Sequence, residues 1–326
     1  MKSCLKYFIL LLCLKFIEGA FRCDYKYSVA TSAWFKYHIV PMTWSDARLR
    51  CALEGATLAS PTTREIRSEM VQILKDSTSK REIFTGIHAT LASGDHNTVE
   101  GIPLSNIPAV WAENEPDNKN NIESCITFDI HGHLADRTCG DTRPYICYRS
   151  DKQPVTINEC GVDPAYSLDN RTKKCYKFHA EPRNFSRASF ACTAEGGHLA
   201  IINSDVEATV LTEILARHPQ NSLLYAHVEQ VDGWKETALV GFYDWGEHGE
   251  WRTIHGQTLA EAGYERWHVG EPNAYPGEFC GSLWRNGLLI DVVCNKNFAF
   301  ICEKSPLSPA ICSADQLSLV GHSQCG

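Results

Sequence analysis

Between residues 63 and 75, Ile66, Met70 and Ile73 recur at helical spacing, and between 205 and 217 Val206, Val210 and Ile214 do the same. Helices are predicted near Thr63–Lys75 and Asp205–Arg217. Upstream of the first, Pro41–Glu54 (PMTWSDARLRCALE) offers Thr43 as an N-cap, Asp46 in the first turn and Gly55 as a stop, which predicts another. Adding 141 to these positions reaches NFSRASFACTAEGG: Trp44 maps to Phe185, Ser45 to Ser186, Ala47 to Ala188, Cys51 to Cys192 and Glu54 to Glu195. Short strands are expected at Cys125–Asp129 and Tyr145–Tyr148, and again at Cys280–Trp284 and Ala299–Cys302. Two helices plus short strands joined by irregular loops, written twice, predict an α+β fold.

The repetition extends to the ends of both copies. Cys125 to Cys139 and Cys280 to Cys294 are each 14 apart, and the steps on to Cys147 and Cys302 are each 8. Each copy has a Glu two residues before its first cysteine (Glu123, Glu278) and an Asp three before its second (Asp136, Asp291). A tryptophan, Trp111 or Trp267, stands four before an EP dipeptide and reads best as core packing. The chain is a tandem repeat. Arg149–Glu159 (RSDKQPVTINE) is polar and holds Pro154, so residues 150–159 serve as the linker between 21–149 and 160–304, with 305–326 as a tail.

Composition places the repeat. Lys2 and Lys6 precede an apolar run, Tyr7–Leu14, and then small residues, the pattern of a signal peptide over residues 1–20; the run is too short to span a bilayer. Of 15 cysteines, Cys4 and Cys13 fall in that leader and 13 remain for an oxidising compartment. A secreted, extracellular chain with no membrane span is expected. A net charge of −8 argues against a nucleic-acid binder, because the counter-charge for phosphate is missing.

Glu271, Asn273, Glu278 and Asp291 gather oxygen-bearing side chains between fixed cysteines. Oxygen donors without imidazole or thiolate suit a hard cation, calcium above all. Pro272 sets the local φ, and a cis bond there would turn both flanking side chains to one side. With its Glu271-Pro272-Asn273 tripeptide the stretch resembles the calcium and sugar site of C-type lectin domains, and Gly241–Gly256 resembles that family's hairpin and loop. The resemblance implies two tandem C-type lectin domains, calcium as cofactor, and Glu271, Asn273, Glu278 and Asp291 as metal and carbohydrate ligands in the second. In the first it implies Glu115, Asp117 and Glu123, with Asp136 as a further metal ligand. Both copies depart from the family's W-N-D motif: Leu289 and Ile290 stand at its Trp and Asn in the second, and Ala135 at its Asn in the first. The first also has Asp117 where the tripeptide has Asn. Mannose-type binding is therefore expected of the second domain.

The resemblance also implies the pairs Cys51–Cys147, Cys125–Cys139, Cys160–Cys175, Cys192–Cys302 and Cys280–Cys294. Cys312–Cys325 is the economical pairing for the tail, which leaves Cys23 odd. Asn170 and Asn184 open N-glycosylation sequons, although Asn184 is also a candidate helix cap. His131 and His133, two apart, would share one strand face; lacking a third ligand at a recognisable spacing, they read as a solvated strand rather than a zinc pair. No motif of a hydrolase, metalloprotease or P-loop is present, so an enzyme is not expected. Two such domains in one secreted chain, with the FRCDYKY start and DARLRCALEGATLASP helix region, resemble the insect (lepidopteran) immulectins. That resemblance implies a haemolymph pattern-recognition protein binding lipopolysaccharide, lipoteichoic acid or mannan. It also implies haemocyte surfaces or serine-protease cascade proteins as partners, with agglutination, encapsulation and prophenoloxidase activation as outcomes. The missing W-N-D asparagines keep a calcium-independent adhesion or scaffold protein as the alternative.

Overall fold

A computed structural model describes residues 15–16, 19–90, 94–219, 236–246, 249–273 and 275–314; most of the leader, together with Cys325, lies outside the described residues. Helix α1 (Trp44–Leu53) starts at Thr43, whose hydroxyl accepts from the Asp46 amide, and α2 (Arg64–Asp76) is capped in the same way by Thr63. Their partners in the second half are α3 (Phe185–Ala194), capped by Asn184, and α4 (Asp205–Arg217), capped by Ser204. A side-chain acceptor at each start satisfies a backbone donor that the first turn leaves unpaired.

The first half builds a sheet in the order Lys26–Ser28, Ala33–Met42, Arg143–Ser150, Ile83–His88, Glu123–Phe128, Leu134–Thr138. The second half repeats that order with Ser167–Asp169, Lys174–Arg183, Phe298–Lys304, Thr237–Asp244, Glu278–Trp284, Leu289–Val293. Pairing is antiparallel except at the centre, where Tyr145 faces Phe84 and Ala238 faces Ala299 in parallel.

Strand alternation divides each core in two. Tyr145 and Cys147 pack with Trp44, Ala47 and Cys51 of α1, while Ile146 joins Ile66, Met70 and Leu74 of α2. In the second half Phe298, Phe300 and Cys302 face Ala188, Ala191 and Cys192 of α3; Ile301 joins Val210, Leu211, Ile214 and Leu215 of α4. The apolar face of α4 is turned from the one read in the sequence. Val206 is 48% exposed, whereas Glu207 is buried, held by the Lys174 ammonium at 2.9 Å and the Tyr176 hydroxyl.

Six disulfides staple the chain: Cys51–Cys147, Cys125–Cys139, Cys160–Cys175, Cys192–Cys302, Cys280–Cys294 and Cys23–Cys312. The last corrects the expectation of a Cys312–Cys325 pair and an odd Cys23. Ala20–Arg22 runs antiparallel to Ile311–Ser313, which brings the two Cα atoms within 4.9 Å. The expected leader boundary thus meets this strand, and part of the tail is strand. Around this staple the halves touch. Arg22, 3% exposed, donates to the Ala194 carbonyl at 2.8 Å, Arg187 pairs with Asp46, and the Arg50 guanidinium lies 5.6 Å from the Phe190 ring centre. The expected linker is not all solvated either, since Val155 is buried in the first core.

Candidate functional site

In the second domain the Leu289–Val293 strand brings Asp291 opposite Gly281, next to the strand that opens at Glu278. The Glu271–Pro272 bond is cis, and the Asn273 amide reaches Asp291 Oδ1 at 3.4 Å. Asn273 accepts from the Tyr275 amide through Oδ1 at 2.8 Å, leaving its NH2 to donate. Tyr275 itself is 66% exposed.

Glu271 Oε2, Glu278 Oε2 and Asp291 Oδ2 are closed off from solvent, with no hydrogen-bond partner among the described residues. Buried carboxylate oxygens without a donor are costly, and a cation among them would relieve that cost, although these three do not share the 4.8 Å spacing of Glu115, Asp117 and Asp136. The Glu271 carboxyl is pushed up to about 7, first by burial and then by the crowding of Asp291, with Asn273 pulling the other way. Glu278 is raised by burial and by the Asp291 charge. A divalent cation suits this donor set: Glu271, Asn273, Glu278 and Asp291 would hold it, and bound there it would offer open coordination positions to paired hydroxyls. Ile290 is packed in the core and offers no side-chain oxygen.

The first domain assembles the matching residues differently. The Glu115–Pro116 bond is also cis, but both Asp136 oxygens accept backbone donors, from Asp117 at 3.1 Å and Asn118 at 2.9 Å. Asp117 Oδ1 and Glu123 Oε2 both accept from the Lys119 amide, at 3.2 and 3.1 Å. Glu115 Oε1 receives the Arg137 guanidinium at 2.6 Å. Glu115 and Glu123 are both raised, with burial the leading cause; Arg137 offsets part of it at Glu115 and the Lys119 amide part of it at Glu123. Glu115, Asp117 and Asp136 each bring a carboxylate oxygen within 4.8 Å of the others, yet of the four candidates only Glu115 Oε2 is buried without a hydrogen-bond partner among the described residues.

Trp111 and Trp267 are half-buried core residues bridged to Leu134 and Leu289 beside the site strands. His131 and His133 are not on a strand face. They sit in the turn after Glu123–Phe128, where the Asp129 carboxylate accepts both of their backbone amides at 2.8 Å. Asn170 is exposed in a turn, while Asn184 Oδ1 accepts from the Arg187 amide at 2.9 Å. Sequence reasoning missed Arg137, although its register signal was present: it stands two before Cys139, where the second domain has Val292 two before Cys294.

The family model described as Lectin C-type domain matches residues 40–149 and 181–304. The hemolymph lipopolysaccharide-binding protein of Periplaneta americana is 36% identical over 170 residues, 51% of this chain and 62% of that protein. The perlucin-like protein of Mytilus galloprovincialis is 27% identical over 131 residues, 39% of this chain and 74% of that protein. The mouse scavenger receptor C-type lectin carbohydrate-recognition domain is 27% identical, covers 44% of this chain and 95% of its own, and superposes with a TM-score of 0.35. The family match indicates a binding protein rather than an enzyme. With two matched stretches, one over each half of the repeat, the chain belongs to the C-type lectin domain family.

Proposed function

We propose that the chain is a secreted, calcium-dependent pattern-recognition lectin of the insect immulectin kind, which binds mannose-type and related glycans on microbial surfaces through its second domain. The three buried, partnerless carboxylate oxygens of Glu271, Glu278 and Asp291 carry this reading. Glu271 accepts from a sugar hydroxyl and the Asn273 NH2 donates to it, so one hydroxyl is fully served. The second hydroxyl has Glu278 but no donor opposite, because Ile290 stands there; affinity for a single sugar is accordingly weak. Tyr275 gives the rim an exposed ring against which a sugar's apolar face can pack. Lipopolysaccharide, lipoteichoic acid and mannan are the proposed targets, the first in keeping with the name of the cockroach relative. Coupling to haemocyte surfaces and to the serine-protease cascade that activates prophenoloxidase is the proposed outcome.

A glycan array probed with the full chain in millimolar calcium, and again in EDTA, tests the reading. Calcium-dependent signal on mannose-type glycans is expected. Equal signal in EDTA would overturn the calcium reading in favour of an adhesion protein, and no glycan signal in either condition would overturn the lectin reading.

A further inference from the structure

We propose that Arg137 is a built-in cation that takes calcium's place in the first domain, so that the chain holds one site calcium, in the second. The inference rests on the calcium reading of the second domain and concerns what the first does instead. The two sites share their carboxylates but not their counter-charge. Arg137 Nη1 lies 2.6 Å from Glu115 Oε1 and 2.7 Å from the Asp136 carbonyl, while its Nε approaches Glu82 Oε1 at 3.3 Å. Glu82 is in turn tied to Arg143 at 3.3 Å. The guanidinium is thus anchored between Glu115 and Glu82, close against the strand that carries Asp136.

The equivalent position in the second domain is Val292, 5% exposed and packed in the core. No arginine or lysine is recorded in an ion pair with Glu271, Glu278 or Asp291 among the described residues. There three carboxylate oxygens are orphaned; here the backbone amides of Asp117, Asn118 and Lys119 together with Arg137 hold the acidic groups, and Glu115 Oε2 alone is buried without a partner among the described residues. A divalent ion entering the first site would have to displace one positive charge from Glu115 and break backbone hydrogen bonds to Asp136. It would also lie within a few ångströms of a guanidinium that stays charged at any working pH. In the second site it meets the unpartnered oxygens of Glu271, Glu278 and Asp291, with only a long Asn273 amide contact on Asp291 Oδ1 and the Tyr275 amide on Asn273 Oδ1.

The consequence concerns valence. A chain with one calcium has one calcium-held sugar position, so agglutination of a glycan-coated surface requires association of chains rather than the two domains of one. Counting calcium on the full chain by titration calorimetry tests this. One ion per chain is expected, and Arg137→Val should raise the count to two. Glu271→Gln should lower it to zero, whereas Glu115→Gln should leave it at one.

Arg137→Gln, which keeps a polar side chain but removes the charge, serves if the valine variant does not fold, and it too should add an ion. A folded charge-removing variant that gains no ion overturns the proposal, as does a wild-type chain that binds two ions of similar affinity. If the wild type binds none and Arg137→Val binds one, Arg137's replacement of calcium in the first domain stands, and the calcium reading of the second domain, with the count of one, falls.

Discussion

At the scale of single residues, the two sites differ by what a side chain can donate. Asn273 has an NH2 to give; an ionised Asp117 has none. Asn273→Asp is expected to abolish binding to mannan in calcium, because the one fully served hydroxyl loses its donor, a loss of about 1.5–3 kcal/mol at a charged site. Asp117→Asn is expected to leave mannan binding level, since Arg137 still holds Glu115. Both are read by solid-phase binding, and a parent-like Asn273→Asp would refute the assignment. Asn184 and Asn170 separate in the same way. The Asn184 cap of α3 should cost about 1 kcal/mol when replaced by Ala, whereas Asn170→Ala in its exposed turn should move the urea midpoint hardly at all. Legibility at this scale followed chemistry. The candidate carboxylates could be picked out because Glu and Asp recur at fixed distances from cysteines. Arg137 escaped because nothing local marks an arginine on a strand as facing an acidic loop until the strand register is known.

Among the elements, the helices were the most readable, since capping and a 3.6-residue period are local properties. The central parallel contact of Tyr145 with Phe84 was not, because it joins segments 61 residues apart that carry no mark of being neighbours. A second repeated device sits behind α1 and α3. Glu54 lies under Tyr25, Lys36, His38 and Arg50, and Glu195 under Tyr166, Lys177 and His179. Tyr25, Lys36, His38 and Glu54 all map onto their counterparts by adding 141, so the repeat extends into the polar core. Burial alone would raise both carboxyls, but the hydrogen bond and charge of His38 and His179, with the neighbouring cations, outweigh it and hold both below the ordinary range. A lowered acid contributes stability above its unfolded value of about 4.3 and loses it as pH falls toward the folded one. The urea midpoint should therefore drop steeply below about pH 4. Glu54→Gln should flatten that drop while lowering the midpoint at neutral pH. A midpoint that does not change with acidification would contradict the pairing.

For the whole molecule, the proposed calcium would bind the folded chain at carboxylates whose charges oppose one another without it. Millimolar calcium should raise the melting temperature of the full chain, by about 2.7 kcal/mol of stability at a hundred-fold excess over Kd. EDTA should reverse the shift, and Glu271→Gln should remove it; an unchanged melt would argue against metal binding. The two-domain parse was legible from the spacing of cysteines, but the closure of the chain on itself was not. Local economy favoured Cys312 with Cys325, whereas the Ala20–Arg22 strand lying along Ile311–Ser313 brings Cys23 to Cys312 across a separation of 289 residues.

The bridge between Cys23 and Cys312 makes the covalent outline of the molecule a ring. Residues 148–159 lie outside both domain-internal sets of bridges, so a protease that cuts there severs the only direct peptide path between the halves. The nicked product should still run as one band on a non-reducing gel and separate into two on a reducing one. With Cys23→Ser and Cys312→Ser together, the same cut should release two pieces. A chain cut once in this stretch would in this way keep its two lectin halves tethered.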